Sequence, residues 1–210
     1  MSKFLRIVAW TLVIAGVLIG ILRLTVIRWW QVPLGDPVLE ASVAPTLRGG
    51  DWVLLWRGTA PIQGALVLCP EPKTGRATIG RVLAEGGYRV HVGEQVLLNG
   101  HGFETESGCD AFTVKDPDTG QEVTQGCHRE VLGSRTHLRG EPVASLAKPG
   151  EADLEVPPQH FYLVSDNRQF PWDSRDFGPA ERSTCVETVI FRLVSKDGFF
   201  DVGNRFTLIR

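Results

Sequence analysis

The sequence predicts a mostly β body behind one transmembrane helix, and three observations carry that prediction. From Ile7 to Leu22 the chain reads "IVAWTLVIAGVLIGIL", without a charge. After it come short apolar runs separated by Gly, Pro and Asp clusters, with 23 Gly and 13 Pro in 210 residues and no long amphipathic helical pattern. The 43% hydrophobic and 22% charged composition suits one globular domain plus an accessory element. A net charge of −2 argues against nucleic acid as a partner.

Extended through Ile27, the apolar run is long enough to cross a lipid bilayer. Lys3 and Arg6 precede it, Arg23 and Arg28 follow it, and Trp29 and Trp30 lie where an interfacial aromatic belt would sit. A cleaved secretory signal would have a shorter core and a small-residue site, where this chain has Arg-Trp-Trp. The expectation is an uncleaved single-pass anchor over residues 1–30. Basic residues are nearly balanced across it, so charge leaves the orientation open.

Residues 33–37 read as a linker, and 38–57 as a turn followed by the strand "WVLLW". Further strands are expected at 62–69, 77–85, 160–164 and 188–194, with a hairpin turning at Gly93-Glu94. Residues 99–150 are Gly-rich and polar and read as an inserted β subdomain. The core would then comprise 31–98 and 151–198, with 199–210 as a tail.

Cys109 and Cys127 bracket a strand, a turn at Asp116–Gly120 and a returning strand. A disulfide across the base of this loop is favoured over two free thiols, and it would put the body in an oxidising compartment. Cys69 and Cys185 lie in apolar runs and read as buried thiols. Without a C-x-x-C pair, a metal site has little support; no cofactor is expected.

The residues that could carry chemistry fall in two boxes. Ser42 precedes Pro45-Thr46-Leu47 and Gly50-Asp51; taken alone, it is a turn or capping serine. Residues 165–178, "SDNRQFPWDSRDFG", hold Asp166, Asn167, Arg168, Asp173 and Arg175, which alone read as a loop braced by Arg–carboxylate pairs.

In order, behind an N-terminal anchor, these boxes resemble the bacterial signal peptidase I family. "SVAPTLRGGDWVLL" is similar to its nucleophile box. "GALVLCPEPKTGRATIGRVLAEGG" is similar to the strands around its lysine, and "VPPQHFYLVSDNRQFPWDSRDFGPA" to its last box. The resemblance implies a signal-peptidase-like antiparallel β body at the outer face of the cell (inner) membrane. It also implies a serine endopeptidase that removes signal peptides from exported preproteins. Such an enzyme uses a Ser–Lys dyad, because a serine hydroxyl needs a base and a desolvated lysine can supply one.

Position by position, the resemblance gives Ser42 the nucleophile place but leaves the other chemical places changed. Gly80, in Ile79-Gly80-Arg81-Val82, stands where the dyad lysine belongs. Glu40 replaces the oxyanion-hole serine, where a carboxylate would repel developing negative charge. Pro171 replaces the serine that orients the lysine. Asp51, Asp166, Asn167, Arg168, Asp173 and Arg175 remain as bracing residues beside the cleft. Lys73, in the loop before Gly80, is the alternative base. His91, His101, His128, His137 and His160 read as surface or structural.

Two functions compete. The chain is a membrane-anchored relative that binds signal peptides or a partner peptidase without cleaving, or an active endopeptidase using Ser42 with a relocated base such as Lys73. A bound peptide would lie along an exposed strand, with residues 51–56 and the strand approaching Gly80 as its surface.

Overall fold

The computed structural model of the protein describes residues 3–93, 95–146 and 150–209. Glu94 and the side chain of Arg23 lie outside the described residues.

The apolar run forms α1 (Lys3–Thr25). Its 23 residues span about 35 Å at 1.5 Å per residue, enough for a bilayer. None of its apolar window is buried against the body. A helix apolar on all sides, with no protein over it, is a single-pass membrane segment joined to a β body. It stops before Ile27, and β1 (Ile27–Gln31) begins there. Trp29 and Trp30 are therefore strand residues, and Trp30 packs on the core rather than standing in a belt.

The linker ends in a short helix, α2 (Pro37–Val43), where a turn was expected. Asp36 caps it by accepting the Leu39 N–H at 3.1 Å, and Pro37 fits its first turn. Then come β2 (Trp52–Trp56), β3 (Leu66–Pro70), β4 (Ala77–Glu85), β5 (Arg89–Val92), β6 (Val96–Leu98) and β7 (His101–Gly102). They are followed by β8 (Thr105–Ser107), β9 (Phe112–Lys115), β10 (Glu122–Gln125), β11 (Cys127–Leu132), β12 (Arg135–Gly140) and β13 (Ala152–Glu155). The chain closes with β14 (His160–Val164), α3 (Ser174–Phe177), β15 (Ala180–Glu181), β16 (Glu187–Val194) and β17 (Thr207–Leu208).

The main sheet runs β1-β2-β16-β3-β4-β14-β15, with β17 also on β16, and its pairings are antiparallel. Residues 207–208, expected in a tail, thus return to the sheet. Smaller sheets are β13-β5-β6-β7, β12-β11-β8 and the hairpin β9-β10. One core cluster lies under α2, where Leu39, Val43 and Leu47 meet Val53, Leu55 and Ile79. A second joins Val67, Val82, Phe161 and Leu163.

Cys69 and Cys185, expected as buried thiols, are a disulfide, with Cα atoms 4.6 Å apart. They are indeed buried, but β3 pairs with β16 at Leu68↔Glu187, which brings together two cysteines 116 positions apart in sequence. Cys109 and Cys127 are also bonded, at a Cα separation of 5.4 Å.

Candidate active site

Helix α2 holds Ser42 on its inner side. The residue is 0% exposed, and its hydroxyl donates to the Leu39 carbonyl at 3.0 Å. Its own carbonyl accepts the Asn167 N–H at 3.1 Å. The first box is thereby pinned to the second.

The 165–173 loop is closed by its own side chains. Asp173 accepts the Ser165 N–H, caps α3 and is bridged by Arg175 at 2.8 Å. The Asn167 carbonyl oxygen accepts the N–H groups of Gln169 and Phe170, and Ser165 Oγ accepts that of Trp172. Arg168 donates to the Ser165 carbonyl and to Glu130. These bonds fix the backbone path without needing a substrate.

Asp166 faces inward. It takes two hydrogen bonds from Arg81, at 2.7 and 2.8 Å, and one from the Thr46 hydroxyl at 2.6 Å. Burial alone would push its carboxyl up, but the Arg81 guanidinium overcomes this and holds it below the usual carboxylate range. Asp51 is equally buried and bonded by Arg192 and the N–H groups of Arg48 and Lys196.

A second half of this network comes from β11 and β12. Glu130 and His137 pair across the two strands. His137 Nε2 lies 3.3 Å from Glu130 and 3.7 Å from Asp166. Burial, reinforced by Arg81, lowers the His137 pKa despite both carboxylates. The Glu130 carboxyl is pushed up by burial but held far down by Arg168, His137 and Arg139.

Compared with known families, residues 5–194 match the model described as signal peptidase, peptidase S26. The chain belongs to the signal peptidase S26 family. No curated protein matches it.

The places that the signal peptidase resemblance assigns to chemistry are distributed as follows. Gly80 is in β4 with its missing side chain directed at β14: a Cβ there would lie 3.0 Å from Leu163 Cβ. Its neighbours point the other way, Ile79 into the cluster under α2 and Arg81 to Asp166. Glu40 is on α2 with Ser42, yet its carboxylate accepts the Gly35 N–H at 2.9 Å. Pro171 is half-buried in the closed loop. Lys73 is exposed in the turn between β3 and β4, without the apolar enclosure a lysine base depends on. Ser42, Asp166, Asn167 and Arg168 therefore form one constellation, and Lys73 is not bonded into it.

The peptide surface expected at residues 51–56 is corrected. β2 is flanked on both edges, by β1 and β16, so it offers no pairing edge. In β4, residues 77–80 pair with β3 alone, because the β14 register begins at Arg81. Arg76 ties the start of this stretch to α2 through Asp36 and lies over the Trp172 ring at 5.7 Å.

Glu130 carries no motif in the sequence, and His137, expected as a surface or structural residue, is a buried member of this network. The signal available for both was the Gly133-Ser134 turn: a hairpin centred there places Glu130 opposite His137.

Proposed function

We propose that this chain is a membrane-anchored signal peptidase relative that binds extended signal peptides without cleaving them. The observation that carries the reading is the Ser42 hydroxyl, buried and spent on the Leu39 carbonyl. A nucleophile needs a base within hydrogen-bond reach. At the lysine position stands Gly80, packed against Leu163, and Glu40 and Pro171 bring no donor to the oxyanion or to a lysine.

Binding needs none of these groups. The side of 77–80 that β14 leaves unpaired, exposed at Ala77 and buried from Thr78 to Gly80, is the edge a β-augmentation mode would use, with main-chain hydrogen bonds supplying affinity and side-chain pockets supplying selection. The two disulfides support a body on the outer side of the inner membrane, where signal peptides or a partner peptidase would be met.

The test is binding of a labelled signal peptide to the full chain in detergent. Wild type and Ser42→Ala should bind equally, and the peptide should be recovered intact. Loss of binding in wild type, or peptide cut only when Ser42 is present, would overturn the proposal.

A further inference from the structure

Beside the Asp166 partners Thr46, Arg81 and His137 lies a cavity of about 320 Å³. One wall is β12, through Thr136, His137 and Leu138; the other is β16 and the C-terminal segment, through Arg192, Thr207 and Ile209. Arg129 and Arg81 complete it.

β12 is the outer strand of its sheet. Gly140 sends both its backbone groups away from β11, its N–H to Asp166 and its carbonyl to the Arg168 N–H. In an antiparallel ladder the groups of every second residue share that direction. Thr136 and Leu138 therefore turn their N–H and C=O groups into the cavity. The Val131 N–H, opposite Thr136, points to Glu104 on the far side, which is the same phase seen from β11. The only side chain that reaches this edge among the described residues is Thr46, at 3.5 Å from the Leu138 carbonyl. At Gly140 the edge is already taken by the 165–168 loop.

The charge of the cavity is positive. Arg81 and Arg192 are balanced by Asp166 and Asp51, but Arg129 has no hydrogen bond or ion pair among the described residues. His137 is 4% exposed, and its Nδ1 has no hydrogen-bond partner among the described residues.

We propose that this cavity captures the C-terminal end of an extended peptide. The chain adds as a strand to β12 at Thr136 and Leu138, and its terminal carboxylate is taken by Arg129. The edge is blocked at Gly140, the C-terminal end of β12, so a strand added parallel to β12 must end there with its own C-terminus. Neither Ser42 nor residues 77–80 line this cavity, so the proposal stands or falls apart from the signal-peptide reading.

The experiment titrates the full chain in detergent with two octapeptides of one sequence, ending in a carboxylate or an amide, and with acetate as competitor. The carboxylate peptide should bind about tenfold more tightly than the amide, the scale of a charge-assisted hydrogen bond. Arg129→Gln should erase that difference. Thr136→Pro, which removes an outward N–H without touching the β11 ladder, should weaken both peptides. Equal binding of the two peptides, no effect of Arg129→Gln, or acetate displacing the peptide at equal concentration would each overturn the proposal.

Discussion

Gly80→Lys asks whether the missing lysine can simply be put back. A Cβ at position 80 would sit 3.0 Å from Leu163 Cβ and 3.6 Å from the Val164 carbonyl oxygen. Leu163 is itself fully buried on β14, so it has little room to yield. Inserting atoms into a packed core costs about 1–3 kcal/mol, before any cost of burying the ammonium. For a body of this size each kcal/mol lowers Tm by about 2–4 °C, so a fall of roughly 2–12 °C is expected. Thermal unfolding of the full chain in detergent measures it. Gly80→Ala serves as the control, because it adds only the Cβ and should already lower Tm. In a cleavage assay on a preprotein with a small-x-small site, Gly80→Lys should remain inactive, since Glu40 and Pro171 are unchanged. Unaltered Tm in both variants would refute the packing argument. Full activity from this single change would refute the claim that three positions matter.

Other predictions rest on the buried network and the disulfides. Arg81→Met leaves the Asp166 carboxylate buried without its partner and should cost about 3–5 kcal/mol, read as a lower denaturation midpoint; an unchanged midpoint would contradict the pairing. His137 has a lowered folded pKa against about 6.5 unfolded, so its share of stability is full above about pH 6.5 and declines as pH falls. One titrating proton bounds the slope at about 1.4 kcal/mol per pH unit, and His137→Asn should flatten it in pH-dependent melts. For Glu130 and Asp166 the sign is opposite in cause but not in direction: their depressed folded values stabilise above about pH 4, and this is lost at lower pH. Cys185→Ser should cost about 2–5 kcal/mol in non-reducing denaturation, and no cost would mean the Cys69 bond is absent in the purified protein.

Much of the fold was legible because its signals are local. The uncharged run predicts α1 by length and composition, and the apolar runs at 52–56, 160–164 and 188–194 correspond to β2, β14 and β16. The boundary at Thr25 was not legible, because Ile27-Arg28-Trp29-Trp30 is as apolar as a helix end until β2 is there to pair with it. Helix α2 was hidden for a related reason: Asp36-Pro37 and Ala44-Pro45 punctuate a stretch too short to show a helical period. The Cys69–Cys185 bond depends on which strands become neighbours, and apolar context alone favours free buried thiols.

The candidate site divides the same way. Ser42 and the 165–175 box could be singled out as short motifs, and the structure joins them through the Ser42 carbonyl and Asn167 N–H. Which partners Asp166 takes could not be read, since Arg81, Thr46 and His137 come from three distant segments. That Ser42 turns its hydroxyl onto Leu39 is a property of helix α2, and it became visible only with that helix.

The most direct measurement incubates the full chain, and its Ser42→Ala variant, with a preprotein bearing a small-x-small site and follows the products by mass spectrometry. The account predicts bound, intact preprotein in both samples. A mature fragment released by wild type and missing with Ser42→Ala would contradict it.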